Sequence, residues 1–253
     1  LGYVPGMPFF AYFDPLYLAL VIPGVIFSLW ASFKVRGSFA RWSKVASRSG
    51  MSGSEAAAVI LRASGAGDVR IERSRMGGMS DHYDPRGRVL RLSEAVFSGR
   101  SVASVAVAAH EAGHAIQHRE GYAPLGLRTA AVPVANIGSK MSWILIMAGM
   151  MLGYFTRDPA LLQWTPMLLW AGVIGFGAVV GFQIITLPVE FNASTRARDR
   201  LVTMGIVTRD EVAGVKAVLD AAALTYVAAA VTGLLTLLYY LVRLGLVGGN
   251  RRS

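Results

Sequence analysis

The stretch Ala109-His110-Glu111-Ala112-Gly113-His114-Ala115 decides how the chain is read, because it places H-E-x-x-H inside a run that reads as helix over residues 101–119. His110 and His114 are four positions apart and therefore share one helix face. That spacing lets both imidazoles reach a single Zn²⁺ at about 2.0–2.1 Å, with Glu111 beside the water on the open coordination position, the pattern of metalloprotease helices. The flanks suit a helix. Ser101 is the expected N-cap, residues 102–109 are small and apolar, Gly121 stands where a stop is expected, and Ala112 and Gly113 leave room for close packing.

Around this motif the 253-residue chain is 54% hydrophobic and 16% charged, with a mean hydropathy of +0.48, too apolar for an ordinary soluble enzyme. The net charge of +10 does not point to nucleic acid: the basic residues cluster beside apolar runs, and no DNA- or RNA-binding motif accompanies them. The partner implied instead is the lipid bilayer. With no cysteine, disulfides and thiolate zinc sites are excluded, so any metal ligands must be His, Asp or Glu.

Four transmembrane helices are expected, over residues 16–33, 132–155, 166–187 and 221–241. Pro23 and Gly24 interrupt the first, as membrane helices tolerate. It is not read as a signal peptide, since Asp14 precedes it without Lys or Arg and no small-residue cleavage site follows. The second is the least sharply bounded: its apolar core is 143–155, and full length requires including Asn136 and Lys140, the latter snorkelling toward the cytoplasm. Lys34, Arg36, Arg41, Lys44 and Arg48 place the end of the first span in the cytoplasm and both termini outside, while Arg243, Arg251 and Arg252 argue mildly the other way. Residues 34–130, carrying the H-E-x-x-H helix, then form a small cytoplasmic α+β domain, and residues 188–220 form further cytoplasmic helices. Within these, Ser52-Gly53-Ser54-Glu55 and Thr208-Arg209-Asp210-Glu211 read as capping boxes, 53–63 as helix, 69–73 and 88–92 as strands, and 77–85 as the turn-rich stretch between them. The fold class is mainly α, a polytopic membrane protein with a zincin-like domain.

A catalytic zinc needs a third protein ligand. His118 is eliminated by geometry: it lies eight residues beyond His110, about 12 Å along the helix. Glu190 is the strongest candidate, an ionisable residue at a membrane boundary just after Pro188 and at the expected start of a helix; the alternative is an ordinary interfacial carboxylate near Arg196 and Arg198. Two expected spans separate His114 from Glu190, which keeps both on one side of the membrane.

The chain resembles the YugP-like family of bacterial neutral zinc metallopeptidases in HEAGHAIQ (110–117), Phe13-Asp14-Pro15, Lys34, Gly53-Ser54-Glu55-Ala56, Ser80-Asp81-His82-Tyr83-Asp84-Pro85, Arg91-Leu92-Ser93-Glu94, Gly121-Tyr122-Ala123-Pro124-Leu125, the LPVEFNAS stretch and Leu224-Thr225-Tyr226-Val227-Ala228-Ala229. The resemblance implies an integral membrane, zinc-dependent peptidase of gluzincin type, with His110, His114 and Glu190 on zinc and Glu111 as base. The family commonly has Asp where this chain has Asn192, so a carboxylate orienting an imidazole from that position is not expected here; Ser194 is the alternative.

The expected function is hydrolysis of peptide bonds in membrane or membrane-proximal proteins at the cytoplasmic face, by a metalloendopeptidase of the bacterial cytoplasmic membrane. His82 and Tyr83 are the candidates for stabilising the oxyanion, each with a structural or packing role as the alternative, and 88–92 is a candidate edge strand for substrate, with an ordinary core strand as the equal alternative. The competing class is a non-catalytic, zinc-stabilised membrane scaffold or partner subunit. Glu111 separates the two, since a structural site is closed by four ligands and has no use for a base.

Overall fold

The computed structural model describes residues 14–75 and 80–245. Phe13, the expected external N-terminal segment, Gly77 to Met79 of the expected turn, and Arg251 and Arg252 lie outside the described residues. The chain is mainly helical. Its long helices are α1 (Pro15–Trp42), α4 (Val102–Arg119), α5 (Ala123–Phe155), α7 (Thr165–Thr203) and α8 (Arg209–Arg243); α2 (Gly53–Ala63), α3 (Glu94–Phe97) and α6 (Pro159–Leu162) are shorter, and β1 (Arg70–Arg73), β2 (His82–Asp84) and β3 (Val89–Leu92) form one small sheet. Four helical segments, Pro15–Trp42, Ala123–Phe155, Pro159–Thr203 and Arg209–Arg243, are long and apolar enough to cross a membrane.

The chain divides into two units. The first comprises Leu1–Trp30, Ala131–Ile184 and Ala228–Ser253, in which large apolar side chains such as Ile26, Trp143 and Ile174 are 60%, 68% and 69% exposed, as lipid-facing residues are. Small residues let its helices approach. A Cβ on Gly138 of α5 would meet Gly175 O of α7 at 2.6 Å, and one on Gly24 of α1 would meet Thr232 of α8 at 3.0 Å, where Thr232 Oγ1 also donates to Gly24 O at 2.8 Å. Arg243 and Asp14 form an ion pair in the same unit.

The second unit comprises Ala31–Ala130 and Ile185–Val227 and carries the H-E-x-x-H helix. Its sheet runs β1-β3-β2, with β1 parallel and β2 antiparallel to β3, Tyr83 opposite Leu90 and Ile71 opposite the same residue on the other side. The expected strand 88–92 is thus the paired centre of the sheet, not an edge open to substrate, because its Val89, Leu90 and Leu92 are buried against the helices. Part of the stretch read as turn is strand β2, whose three residues hydrogen-bond to β3 across a tight turn: Asp84 Oδ1 accepts from Arg86 N (3.0 Å) and Gly87 N (3.1 Å), and Arg88 takes φ 49°.

The first capping box forms: Ser52 N donates to Glu55 Oε2 at 2.7 Å while Ser52 Oγ accepts from Glu55 N at 3.2 Å. The second is only half made, because Thr208 N and Thr208 Oγ1 both donate to Glu211 Oε2, at 2.7 and 3.0 Å, and Glu211 N bonds the Thr208 carbonyl instead of its hydroxyl. The helix 53–63, the Ser101 cap and the left-handed Gly121 are as the sequence indicates. In contrast, α7 does not break at Pro188. Proline's fixed φ is helical and it removes only one N–H, so the helix continues to Thr203 and Glu190 lies in its interior, not at a helix start.

Candidate metal centre

Helix α4 can sit deep in its unit because almost every residue on it is small. Ala103, Ala106, Ala108, Ala109, Ala112 and Ala115 are all buried, against α2, the sheet and the C-terminal part of α7. Gly113 permits the closest approach: a Cβ there would meet Ala193 O of α7 at 2.7 Å and its Cα at 3.3 Å. This contact puts the turn of α7 that carries Glu190 beside the two histidines.

His110 Nε2 lies 3.1 Å and His114 Nε2 3.5 Å from the same oxygen, Glu190 Oε2. The imidazole planes stand at 84°, centroids 4.8 Å apart, and the side chains of His110, His114 and Glu190 are 12%, 8% and 2% exposed. One ligand atom from each lies within 4.8 Å of the others, and among the described residues no other group of His, Asp and Glu converges in this way.

The remaining ring nitrogens are held from behind. Ser194 Oγ is 3.1 Å from His110 Nδ1, and Gln117 Oε1 is 3.0 Å from His114 Nδ1. Gln117 Nε2 donates to Val189 O at 2.9 Å and to Asn192 Oδ1 at 3.0 Å, so the amide's orientation is fixed and its oxygen must face the ring. His114 is therefore protonated on Nδ1 and presents the Nε2 lone pair to Glu190 and its surroundings. Asn192 in turn accepts from Arg196 Nε at 2.6 Å, and Arg196 also pairs with Glu120. Ser194 fills the role the sequence suggested for it, and Asn192 acts on His114 through Gln117.

Two imidazoles and a carboxylate that converge in a buried site are a zinc donor set. Glu190 is buried with Oε2 toward both rings, and its Oε1 has no hydrogen bond of ordinary geometry, only Arg128 Nη2 at 3.5 Å. Burial alone would lower the His114 pKa, yet the Glu190 carboxylate outweighs it and the value is raised. The donor set fits a dication held by His110, His114 and Glu190.

Glu111 is buried on the same helix and is not one of the converging donors; its charge is felt by His114, by Asp81 and by Tyr226. Asp81 lies before β2 and accepts from Ser93 N at 2.7 Å and Ser93 Oγ at 3.0 Å; burial raises its pKa despite those bonds, and Glu111 adds to the rise. His82 and Tyr83 are placed on β2, His82 Nδ1 at 2.9 Å from Ser80 O and Tyr83 OH at 2.8 Å from His118 Nδ1. Asp84 pairs with Arg91. Arg128, to which the sequence reading gave no role, stands beside Glu190 with Nη2 3.5 Å from Glu190 Oε1, and Tyr226, quoted there only for the resemblance, feels the charge of the same carboxylate. Tyr226 was visible as a polar aromatic inside an apolar run, and Gln117 as the residue one turn past His114 on its face; nothing local marked Arg128.

The family model described as "Putative neutral zinc metallopeptidase" matches residues 17–245. The chain belongs to this family. It is also similar to the "Putative membrane protease YugP" of Bacillus subtilis (strain 168), 46% identical over 227 residues that cover 90% of this chain and 96% of that protein. No solved structure matches. For this member of the neutral zinc metallopeptidase family, Zn²⁺ is the implied cofactor, and a His/His/Glu site for it is present.

Proposed function

We propose that the chain is a membrane-embedded zinc endopeptidase that cleaves membrane or membrane-proximal proteins at the cytoplasmic face of the bilayer. The observation that carries this reading is the division of labour on α4: His110 and His114 converge with Glu190, while Glu111, between them in sequence, is left out of the donor set. Three donors and a buried carboxylate that is not a donor are what a hydrolytic centre needs and a structural one does not.

When bound by His110, His114 and Glu190, zinc supplies a Lewis acid that brings the pKa of water down to about 7 and polarises the scissile carbonyl. Ser194 and Gln117 hold the two imidazoles with Nε2 presented, so the ligand geometry is set before the metal arrives. Glu111 accepts the proton of the attacking water and returns it to the leaving nitrogen, a positioned-base role that contributes about 10²–10⁴-fold to rate. Among the described strands β2 pairs with β3 alone, and its Tyr83 bonds His118 of α4, so β2 is the strand beside the metal helix to which an extended peptide can add.

The orientation follows from charge. Lys34, Arg36, Arg41, Lys44 and Arg48 directly follow the first span, and Arg243, which argued the other way, is paired with Asp14. In this reading residues 16–33, 132–155, 166–187 and 221–241 cross the bilayer, and 34–130 and 188–220 lie in the cytoplasm. The test is hydrolysis of an unfolded protein by the wild type and by Glu111→Gln at equal zinc content, with cleavage expected only from the wild type.

A further inference from the structure

A carboxylate carries two acceptor oxygens, so a glutamate can meet zinc through one of them or through both. The choice matters at a hydrolytic centre, where three protein donors leave one coordination position for water and a fourth donor would fill it. Glu190 is buried and turns Oε2 toward the imidazoles, 3.1 Å from His110 Nε2 and 3.5 Å from His114 Nε2. Its Oε1 has no hydrogen bond of ordinary geometry, and the one ion pair it makes among the described residues is with Arg128, whose Nη2 stands 3.5 Å away.

Arg128 comes from the second turn of α5, its side chain 29% exposed and its Nε buried without a hydrogen-bond partner. An arginine and a carboxylate that pair for their own sake close to about 2.7–2.9 Å, often through two parallel N–H···O bonds. This pair does neither. Glu190 instead divides its oxygens, Oε2 to the histidines and Oε1 to the guanidinium. The other two converging side chains are arranged in the same way, each with a neighbour at the atom turned from the cluster: Ser194 Oγ at His110 Nδ1 and Gln117 Oε1 at His114 Nδ1. Arg128 is the corresponding neighbour of Glu190. A guanidinium suits the place, because it stays charged and offers only donors to an acceptor-only carboxylate.

We propose that Arg128 is a positioning residue for the third ligand: it holds Glu190 Oε1, so that Glu190 meets the metal through Oε2 alone and one coordination position stays open for water. This deepens, and rests on, the reading above in which His110, His114 and Glu190 hold zinc. Without the guanidinium no other cation among the described residues pairs with Oε1, and Glu190 chelates through both oxygens.

The experiment uses the chain purified in detergent as wild type, Arg128→Met, Arg128→Gln and Glu190→Ala, each freed of metal and reloaded with zinc in excess. Infrared difference spectra of zinc-loaded minus metal-free protein give the separation between the antisymmetric and symmetric carboxylate stretches, wide for binding through one oxygen and narrow for binding through both. The bands of Glu190 are those that Glu190→Ala lacks. Wild type is expected to show the wide separation, and Arg128→Met and Arg128→Gln the narrow one at equal zinc content; Arg128→Gln keeps a polar side chain and carries the test if the methionine variant does not fold. A merely loosened α5 would lower thermal stability or zinc content without narrowing the separation. A narrow separation in wild type, or a wide one retained in the zinc-loaded Arg128 variants, overturns the proposal. Chelator competition separates this from the underlying reading: Glu190→Ala with wild-type zinc affinity defeats the ligand assignment itself, whereas Glu190→Ala that loses zinc, beside Arg128 variants with the wild-type separation, defeats this inference alone.

Discussion

Replacing Gln117 by Leu removes one amide that touches both sides of the metal centre. Gln117 is fully buried, and Leu fills nearly the same volume, so no sizeable cavity opens and the loss is one of hydrogen bonds. Asn192 Oδ1 keeps its bond from Arg196 Nε at 2.6 Å. The His114 Nδ1–H keeps nothing, since its acceptor was Gln117 Oε1 at 3.0 Å. A buried donor left without a partner costs about 1–3 kcal/mol. The cost falls on the ring state that zinc requires, with the Nε2 lone pair free. Partners of this kind are worth about 10–100-fold in metal affinity, which converts to about 1.4–2.7 kcal/mol and agrees with the cost of the orphaned donor. The assay is zinc competition against a chromogenic chelator on metal-free protein. Gln117→Glu separates the two contacts: it keeps an acceptor for His114 but turns a second carboxylate oxygen toward Val189 O and Asn192 Oδ1. It should bind zinc more tightly than Gln117→Leu while melting below wild type. Zinc affinity of Gln117→Leu within twofold of wild type, or a Gln117→Glu protein no better than Gln117→Leu, would refute the reasoning.

Glu190→Ala should lose zinc by more than the roughly 10–100-fold of an outer partner; metal analysis returning wild-type stoichiometry would move the third ligand elsewhere. Gly113→Ala should lower the melting temperature, by about 1–3 kcal/mol of overpacking, and weaken zinc binding, because the new Cβ meets Ala193 O at 2.7 Å on the turn after Glu190; unchanged values for both would show that α4 and α7 part freely. Because the chain has no cysteine, single-cysteine variants at Arg62 and Trp164 report sidedness cleanly. An impermeant thiol reagent applied to intact cells should label position 164 and not 62, and the reverse pattern would invert the proposed topology.

The H-E-x-x-H helix was legible because everything that makes it is local: the pair on one face, the Ser101 cap, the left-handed Gly121 and the small residues between. That Glu190 converges with the two histidines agrees with the expectation drawn from an even number of spans between it and His114. The setting of Glu190 was not legible, because Pro188 reads locally as a break while the surrounding packing keeps α7 helical. Strand β2 was hidden by its neighbours, three residues inside a Gly-, Asp- and Pro-rich stretch that become a strand only by pairing with β3. Arg128 and Tyr226 come from α5 and α8, and three-dimensional convergence of separate helices leaves no spacing in the chain to read.

The claim at the centre of this account is that Glu111 is a proton acceptor and not a ligand or a packing residue. Glu111→Gln keeps the shape and hydrogen-bonding reach of the side chain and removes only its basicity. Wild-type and Glu111→Gln proteins with zinc measured on both, assayed side by side on an unfolded protein substrate, give the most direct test. The account predicts equal zinc, equal thermal stability and a rate lower by about 10²–10⁴-fold in the variant; equal cleavage at equal zinc would contradict it.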